Sequence, residues 1–333
     1  MAESASNLDP CELSSRPDHG VRPPRWALEL VAGASEAWLK GSDGIDLCVA
    51  DAGEVAMVTA VVANAVEMPA ALLEEQTRAS YRLICERLAG LRAARPVRVW
   101  NFIPGILQPL DGMPQRYMAF NAGRFRAYEE WFEGPVGFSR KVPTASGVGH
   151  HGRDLSIHCL ALAEGGEPVE NPRQVPSYRY SRRWGQLPPC FARATRVSLS
   201  PARPPWLLVG GTASVRGEES LYGDDLDAQT EETFANLAAL VRSAAAGTPF
   251  EAVAENATDE DLLGCFRFLR VYYVDVRHQQ RVRQLVARYA AQVGEVEFLL
   301  ADLCRTQLLV EIEGLVELAL PTRTRDRLLR PVE

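Results

Sequence analysis

The chain has 333 residues, of which 47% are hydrophobic, and its formal net charge is −7. This length suits two domains or one large domain with a substantial core. The negative charge argues against nucleic acid and anionic membranes as partners, and no run of about 18 apolar residues predicts a membrane-spanning helix.

Residues 1–24 are polar and lack a basic segment followed by an apolar one, so they predict a flexible leader in a cytoplasmic protein. The seven cysteines are scattered and include no CxxC pair, which argues against a disulfide framework or a zinc site. His150, His151 and His158 match no common spacing of metal ligands, so no metal is predicted.

The first half of the chain alternates apolar runs typical of strands with helical patterns. A helix opens near Gln76 and carries Tyr81, Ile84 and Leu88 on one face. In chain order, the predicted elements are strands at 44–49 and 55–62, this helix, a strand at 98–102, a helix at 124–132 and a strand at 155–159.

The second half repeats this order of elements. The helix near Gln229 and the strand from Leu308 each follow their first-half counterparts by 153 residues (229 − 76 and 308 − 155), which places Glu311 opposite His158. We therefore predict a duplicated α+β unit, each copy a mixed sheet with helices on one face. A Gly-rich break at 164–167 sets the domains at 25–165 and 166–333. The other second-half elements are strands at 192–199, 206–213 and 270–274 and a helix at 279–290.

Four arginines and three aromatic residues interleave at 170–185, between the two halves. Arginine grips carboxylates with two parallel hydrogen bonds, and aromatic side chains can wall a planar ring. This composition indicates an anion site; the alternative is a solvated connector with arginines stacked on aromatic rings. RNA binding is not predicted, because the chain is acidic and has no second cluster of this kind.

Two stretches rich in small residues, at 141–149 and 210–220, would let a ligand or another backbone approach closely. Neither matches the P-loop or the Rossmann fingerprint, so a nucleotide cofactor is not predicted. The first stretch reads as a loop that either lines a pocket or forms an ordinary turn.

Near the C-terminus, the strand at 308–312 carries Glu311, and Glu313 lies two residues further, so both side chains share one sheet face. A carboxylate among strong strand formers is costly to bury without a partner. Cys304 and Arg305 lie just upstream. The combination indicates an acid catalyst beside an anionic ligand; the alternative is an exposed edge strand with solvated glutamates.

Five segments together resemble the chorismatase family: NFIPG at 101–105, PTASGVG at 143–149, the run at 170–185, VGGTAS at 209–214 and CRTQLLVEIEG at 304–314. The resemblance implies two RidA-like (YjgF-like) units in one monomeric chain. It also implies cofactor-free conversion of chorismate with release of pyruvate, typical of secondary metabolism.

The family has a hydrolase branch and a branch that makes 3-hydroxybenzoate. In the second branch a Cys lies seven residues before the catalytic Glu, as Cys304 does before Glu311, and a Gly occupies a loop that corresponds to Gly217 here. The resemblance thus implies a 3-hydroxybenzoate synthase with Glu311, Cys304 and Gly217 as catalytic residues. The substrate-binding candidates are Arg179, Arg182, Arg277, Arg305 and Tyr178.

Several alternatives stay open at this point. Glu313 shares the face of Glu311 and is the other candidate acid, and Cys304 is otherwise an apolar filler. The chain could instead be a hydrolase that gives 3,4-dihydroxycyclohexa-1,5-diene carboxylate and pyruvate. Two further options are a non-catalytic, carboxylate-binding RidA-like protein and a RidA-type imine deaminase.

Overall fold

The computed structural model describes residues 22–40, 44–198 and 203–319, so the predicted leader at 1–24 lies outside these residues except for 22–24. The first half forms one six-stranded sheet with helices. Its elements are α1 (Arg25–Glu29), β1 (Ser35–Lys40), β2 (Ile45–Asp51), β3 (Val55–Val62), α2 (Ala70–Ala89), β4 (Arg95–Pro104), α3 (Arg116–Trp131), α4 (Phe138–Lys141), β5 (Thr144–His150) and β6 (Leu155–Leu162).

The second half forms another six-stranded sheet and a short two-stranded hairpin. Its elements are β7 (Glu167–Val169), β8 (Ala194–Val197), β9 (Trp206–Ala213), β10 (Val215–Arg216), β11 (Glu219–Ser220), α5 (Leu226–Ala245), α6 (Glu251–Asn256), α7 (Asp259–Leu263), β12 (Phe266–Tyr273), α8 (Gln279–Tyr289), β13 (Glu295–Leu300) and β14 (Val310–Glu317).

The two sheets have the same topology. Their strand orders are β1-β2-β3-β6-β4-β5 and β7-β8-β9-β14-β12-β13. In both, every neighbouring pair is antiparallel except the last, β4 with β5 and β12 with β13. The predicted α+β class and the duplicated unit are confirmed. We propose the domain boundary between residues 165 and 166, in the gap between β6 and β7.

The two sheets lie face to face, with α2 and α3 on the outer side of the first sheet. Helix α1 instead packs against the cluster between the sheets. Helix α2 buries Leu73, Tyr81 and Ile84 against the first sheet, because these residues recur at helical spacing on one face. Helices α5, α7 and α8 cover the second sheet. The inner faces enclose a third cluster that includes Trp100 and Tyr272. A side chain that points inward from either sheet therefore meets the other half of the chain.

One local prediction was wrong: residues 144–149 of the predicted small-residue loop belong to edge strand β5, which pairs in parallel with β4. The run at 170–185 contains two short 3-10 turns, at Ser177–Arg179 and Arg182–Trp184. The strand predicted at 308–312 is present, but it begins at Val310 and continues to Glu317. None of the described helices is long and apolar enough to cross a membrane.

Candidate active site

A cavity lies at the β5 edge of the first sheet, where β5 and α3 face the second half of the chain. It encloses about 730 Å³, including its open mouth. Its walls come from α3 and β5 of the first half, from the segment at 174–193, and from β9, the loop before β14 and β14 itself in the second half. Both copies of the duplicated unit therefore build one chamber.

Glu311 lies on the wall of this cavity and is only 5% exposed. Along β14, Val310 and Ile312 pack towards the helices, so the alternation of the strand turns Glu311 inward. Burial, followed by the neighbouring charge of Glu313, raises the pKa of the Glu311 carboxyl to about 8, and nearby arginines oppose this rise. The carboxyl consequently holds its proton near neutral pH, as an acid catalyst requires.

Gly211 of β9 makes room for this carboxyl. A Cβ atom at this position would lie 2.0 Å from Oε1 of Glu311 and 2.7 Å from its Cδ. Only a residue without a side chain therefore permits the observed carboxyl position. The sequence had indicated close approach somewhere in 210–220, but not which atom would come close.

Glu313 points to the same side of β14 but is fully engaged. Its carboxylate accepts hydrogen bonds from Arg98 Nη2 at 2.7 Å, from Ser146 Oγ at 2.5 Å and from Trp100 Nε1 at 3.0 Å. All three donors belong to the first half of the chain. The arrangement thus favours Glu311 over Glu313 as the proton donor.

Cys304 lines the cavity beside Glu311. Burial and the nearby Glu311 raise the pKa of its thiol to about 12, so the sulfur is a neutral thiol at physiological pH. The neutral form is a poor nucleophile. Cys304 is therefore suited to shaping the cavity rather than to covalent attack.

Three buried arginines line the cavity. The guanidinium of Arg305 stacks on Trp184, with 3.6 Å between Cζ and the ring centroid, and donates to the Glu218 carbonyl at 2.9 Å. Arg193 donates to the Tyr180 hydroxyl at 2.5 Å. Arg124, on α3, donates to Asn121.

Within the described residues, none of these three guanidinium groups forms an ion pair with a carboxylate, and the Nε atoms of Arg124 and Arg193 have no hydrogen-bond partner. Guanidinium groups that form no close ion pair keep donors available for the carboxylates of a ligand. The cavity is therefore suited to an anionic ligand.

Arg305 is the one predicted binding arginine that lines the cavity. Arg179 and Arg182 are exposed because their segment turns instead of running as a strand, and Arg277 pairs with Asp275 on the surface. Tyr178 packs its ring against Phe138 rather than facing the cavity. The central run instead supplies Tyr180 and Trp184 to the cavity wall.

Gly217 lies in the turn between β10 and β11 and has a φ of +60°. No atom lies within 4 Å of the place that a Cβ at this position would occupy. It does not line the cavity, so the structure gives it no contact with a ligand. The sequence reasoning missed Arg124 and Arg193. The available signal was a single arginine among apolar neighbours, as in Phe191-Ala192-Arg193-Ala194, which indicates a buried charge.

No group of three or more His, Cys, Asp or Glu side chains suited to a metal ion occurs in the part of the chain that the structure describes. His158 is buried and its Nδ1 lies 2.9 Å from the hydroxyl of Thr59. Burial lowers the pKa of its imidazole to about 3.

Comparison with known proteins gives consistent matches. The family described as "Chorismatase FkbO/Hyg5-like, N-terminal" matches residues 34–161. A 3-hydroxybenzoate synthase from Streptomyces hygroscopicus is 32% identical over 255 residues, which cover 74% of this chain and 71% of that protein. A chorismatase from Streptomyces rapamycinicus is 33% identical over 245 residues, which cover 72% and 69%. A crystal structure of a chorismatase has the same fold, with a TM-score of 0.68 at 24% identity over 84% of this chain and 78% of that one.

Proposed function

Because this chain belongs to the chorismatase family, we propose that it is an enzyme that converts chorismate into 3-hydroxybenzoate and pyruvate without a cofactor. One observation carries the proposal: a single cavity combines a protonated carboxyl, Glu311, with three arginines that form no ion pair with a carboxylate of the described residues. The relative named 3-hydroxybenzoate synthase supports the choice of product.

The arginines suit the charge of the substrate. Chorismate carries one carboxylate on its ring and one on its enolpyruvyl group. We assign these carboxylates to Arg124, Arg193 and Arg305, because all three are buried at the cavity and have free donor capacity. The rings of Tyr180 and Phe191 lie along the same wall and provide faces for the planar substrate ring.

Glu311 provides the proton that starts the reaction. Protonation of the terminal methylene carbon of the enol ether gives an oxocarbenium ion and leaves Glu311 as a carboxylate. The hydroxyl oxygen on the neighbouring ring carbon then bonds to the ring carbon that carries the ether, the bond from that carbon to the ether oxygen breaks, and pyruvate leaves with this oxygen. The resulting protonated arene oxide opens, the ring aromatises by losing the hydrogen of the carbon that keeps the oxygen, and this proton returns to Glu311. Chorismate thereby divides into 3-hydroxybenzoate and pyruvate with no water consumed.

Hydrolysis is the second candidate reaction. In that case water attacks the oxocarbenium ion, and the ring product is 3,4-dihydroxycyclohexa-1,5-diene carboxylate. One observation favours it: Gly217, which the resemblance links to the 3-hydroxybenzoate branch, lies outside the cavity. Cys304, the other residue linked to that branch, does line it. We propose that Cys304 limits the room for water beside Glu311.

The test is to incubate the protein with chorismate, to measure pyruvate and to identify the ring product. We expect 3-hydroxybenzoate, and a Glu311→Gln variant should release pyruvate at least about 100-fold more slowly, because general acid catalysis contributes 10²–10⁴-fold. Glu317→Gln is the matched control, since Glu317 lies on the same strand and pairs with Arg267 outside the cavity. Unchanged turnover in Glu311→Gln would contradict the assignment, and a non-aromatic diol would select the hydrolase.

We also propose that the protein acts as a monomer, since residues of one chain complete the cavity. Light scattering during turnover tests this: a stable dimer would contradict it.

A further inference from the structure

Glu313 is buried, and each of its three hydrogen-bond partners donates to it. Arg98 Nη2 and Ser146 Oγ donate hydrogen bonds to Oε2 of Glu313, and Trp100 Nε1 donates one to Oε1. Arg270 on β12 is the residue paired with Glu313 in the sheet, and its guanidinium lies 4.0 Å from Oε1.

The hydroxyl of Ser146 can be oriented from its other contacts. Arg98 Nη2 at 2.6 Å and the backbone N–H of Gly211 at 2.9 Å both donate to Ser146 Oγ. Neither of these groups can accept a hydrogen bond. The hydroxyl hydrogen of Ser146 must therefore point to Glu313, which receives only donors and is held as a carboxylate.

We propose that Glu313 is a positioning residue whose fixed negative charge acts together with burial to keep the neighbouring Glu311 carboxyl protonated. The inference rests on the proposed role of Glu311 as the acid. The two residues lie two apart on one face of β14, about 7 Å apart along the strand, and two like charges at such a distance in a buried site disfavour double ionisation. Donors from the opposite sheet stabilise the charged form of Glu313. The proton shared by the two carboxyl groups therefore remains on Glu311.

Burial is the larger cause of the protonation of Glu311, and Glu313 is the one charged neighbour that adds to it. The arginines near it favour the ionised form, which makes Glu313 the charge that opposes them. The remaining titratable neighbours are neutral, because burial raises the pKa of each. The groups that face Glu311 are Arg98 from β4, Tyr117 from α3, Arg193 ahead of β8, Tyr272 from β12, and Cys304 and Arg305 from the loop before β14.

The test is a pH profile of Glu313→Gln. The variant keeps the shape of the side chain but removes its charge, so pyruvate release should decline with rising pH about one to two pH units earlier than in the wild type. At pH values below this decline, its rate should return to within a few-fold of the wild-type rate. General damage to the fold would lower the rate at every pH. The control, Glu317→Gln, should keep the wild-type profile.

A second readout makes the test independent of turnover. Carbon-13 NMR of labelled glutamate carboxyls follows the titration of Glu311 in the substrate-free protein, with Glu311→Gln used to assign its signal. The Glu311 titration should move to lower pH in Glu313→Gln by the same shift. If the wild type releases no pyruvate from chorismate, the proposed function fails, while this titration still decides the role of Glu313.

Glu313→Gln leaves Arg98 buried beside a neutral partner, which can prevent folding. The double variant Arg98→Met with Glu313→Gln removes both charges and avoids this problem. Its Glu311 titration should shift in the same direction by a smaller amount, because Arg98 opposes Glu313 but acts less strongly on Glu311. A wild-type titration of Glu311 in either folded variant would overturn the proposal.

Discussion

Gly211→Ala is the sharpest test of the proposed acid, because it moves Glu311 without changing any titratable group. The added Cβ would lie 2.0 Å from Oε1 of Glu311, so the carboxyl must retreat by roughly 1 Å or more before the contact becomes acceptable. The backbone of Gly211 does not have a positive φ, and alanine is therefore free of backbone strain there. The displaced group is the end of a flexible side chain, which keeps the cost to stability small.

The cost to catalysis should be much larger. A misplacement of about 1 Å at the reacting centre lowers the rate about 100-fold, which corresponds to about 2.7 kcal/mol in the activation free energy. The KM should change little, because the proposed carboxylate contacts come from arginines elsewhere on the wall. Steady-state assays of pyruvate release from chorismate give kcat and KM, and thermal unfolding of the same samples checks the fold.

Gly223→Ala is the control. Gly223 has no positive φ, and the nearest atom to an added Cβ, on Gln307, is 3.9 Å away. This variant should therefore keep the wild-type kcat. If Gly211→Ala also kept the wild-type kcat while remaining folded, the position of the Glu311 carboxyl would not matter to catalysis. That result would contradict the role of Glu311 as the proton donor.

Three further predictions follow from the same geometry. Wild-type pyruvate release should decline as pH rises through about 8, since the raised pKa of Glu311 makes its proton available below that pH and removes it above; a rate that still rose beyond pH 9 would contradict this. Arg193→Met should raise the KM for chorismate by about 10- to 100-fold, from the loss of charged hydrogen bonds, whereas the matched change at exposed Arg179 should leave it unchanged in the same assay. Cys304→Ala should enlarge the space beside Glu311 and increase the share of non-aromatic diol, measured by chromatography of the ring products; an unchanged product ratio would remove Cys304 from product control.

The sequence was most informative where periodicity and repetition reinforce each other. The spacing of Tyr81, Ile84 and Leu88 predicted the buried face of α2, and the order of strands in one half predicted the other. Such patterns reflect the burial of one face of each element, which is a local property of the chain. The shared face of Glu311 and Glu313 followed from strand alternation in the same way.

The arginines of the site could not be found in this manner. The prediction chose Arg179 and Arg182 because they are concentrated in one run, yet two 3-10 turns direct them to solvent. Arg124 and Arg193 are far apart in the chain and meet at the ring of Phe191, because the segment before β8 packs beside α3. The separation of roles between Glu311 and Glu313 likewise depends on donors from β4 and β5, which strand alternation alone cannot identify.

A comparison of the two copies shows why we propose an acid in the second copy and none at the equivalent position of the first. His158 on β6 pairs across the sheet with Trp100, and Glu311 on β14 pairs with Tyr272, so the separations of 153 and 172 residues (311 − 158 and 272 − 100) place the two side chains at equivalent positions. His158 is neutral at physiological pH, because burial lowers its pKa to about 3, and its ring packs edge-on against Phe102. In the first copy, the side chain at this position therefore packs in the core. Side chains of β4 and β5 in the same copy donate hydrogen bonds to Glu313. In the proposed mechanism, one copy thus supplies the proton donor, and the other supplies the hydrogen-bond donors that hold Glu313 beside it.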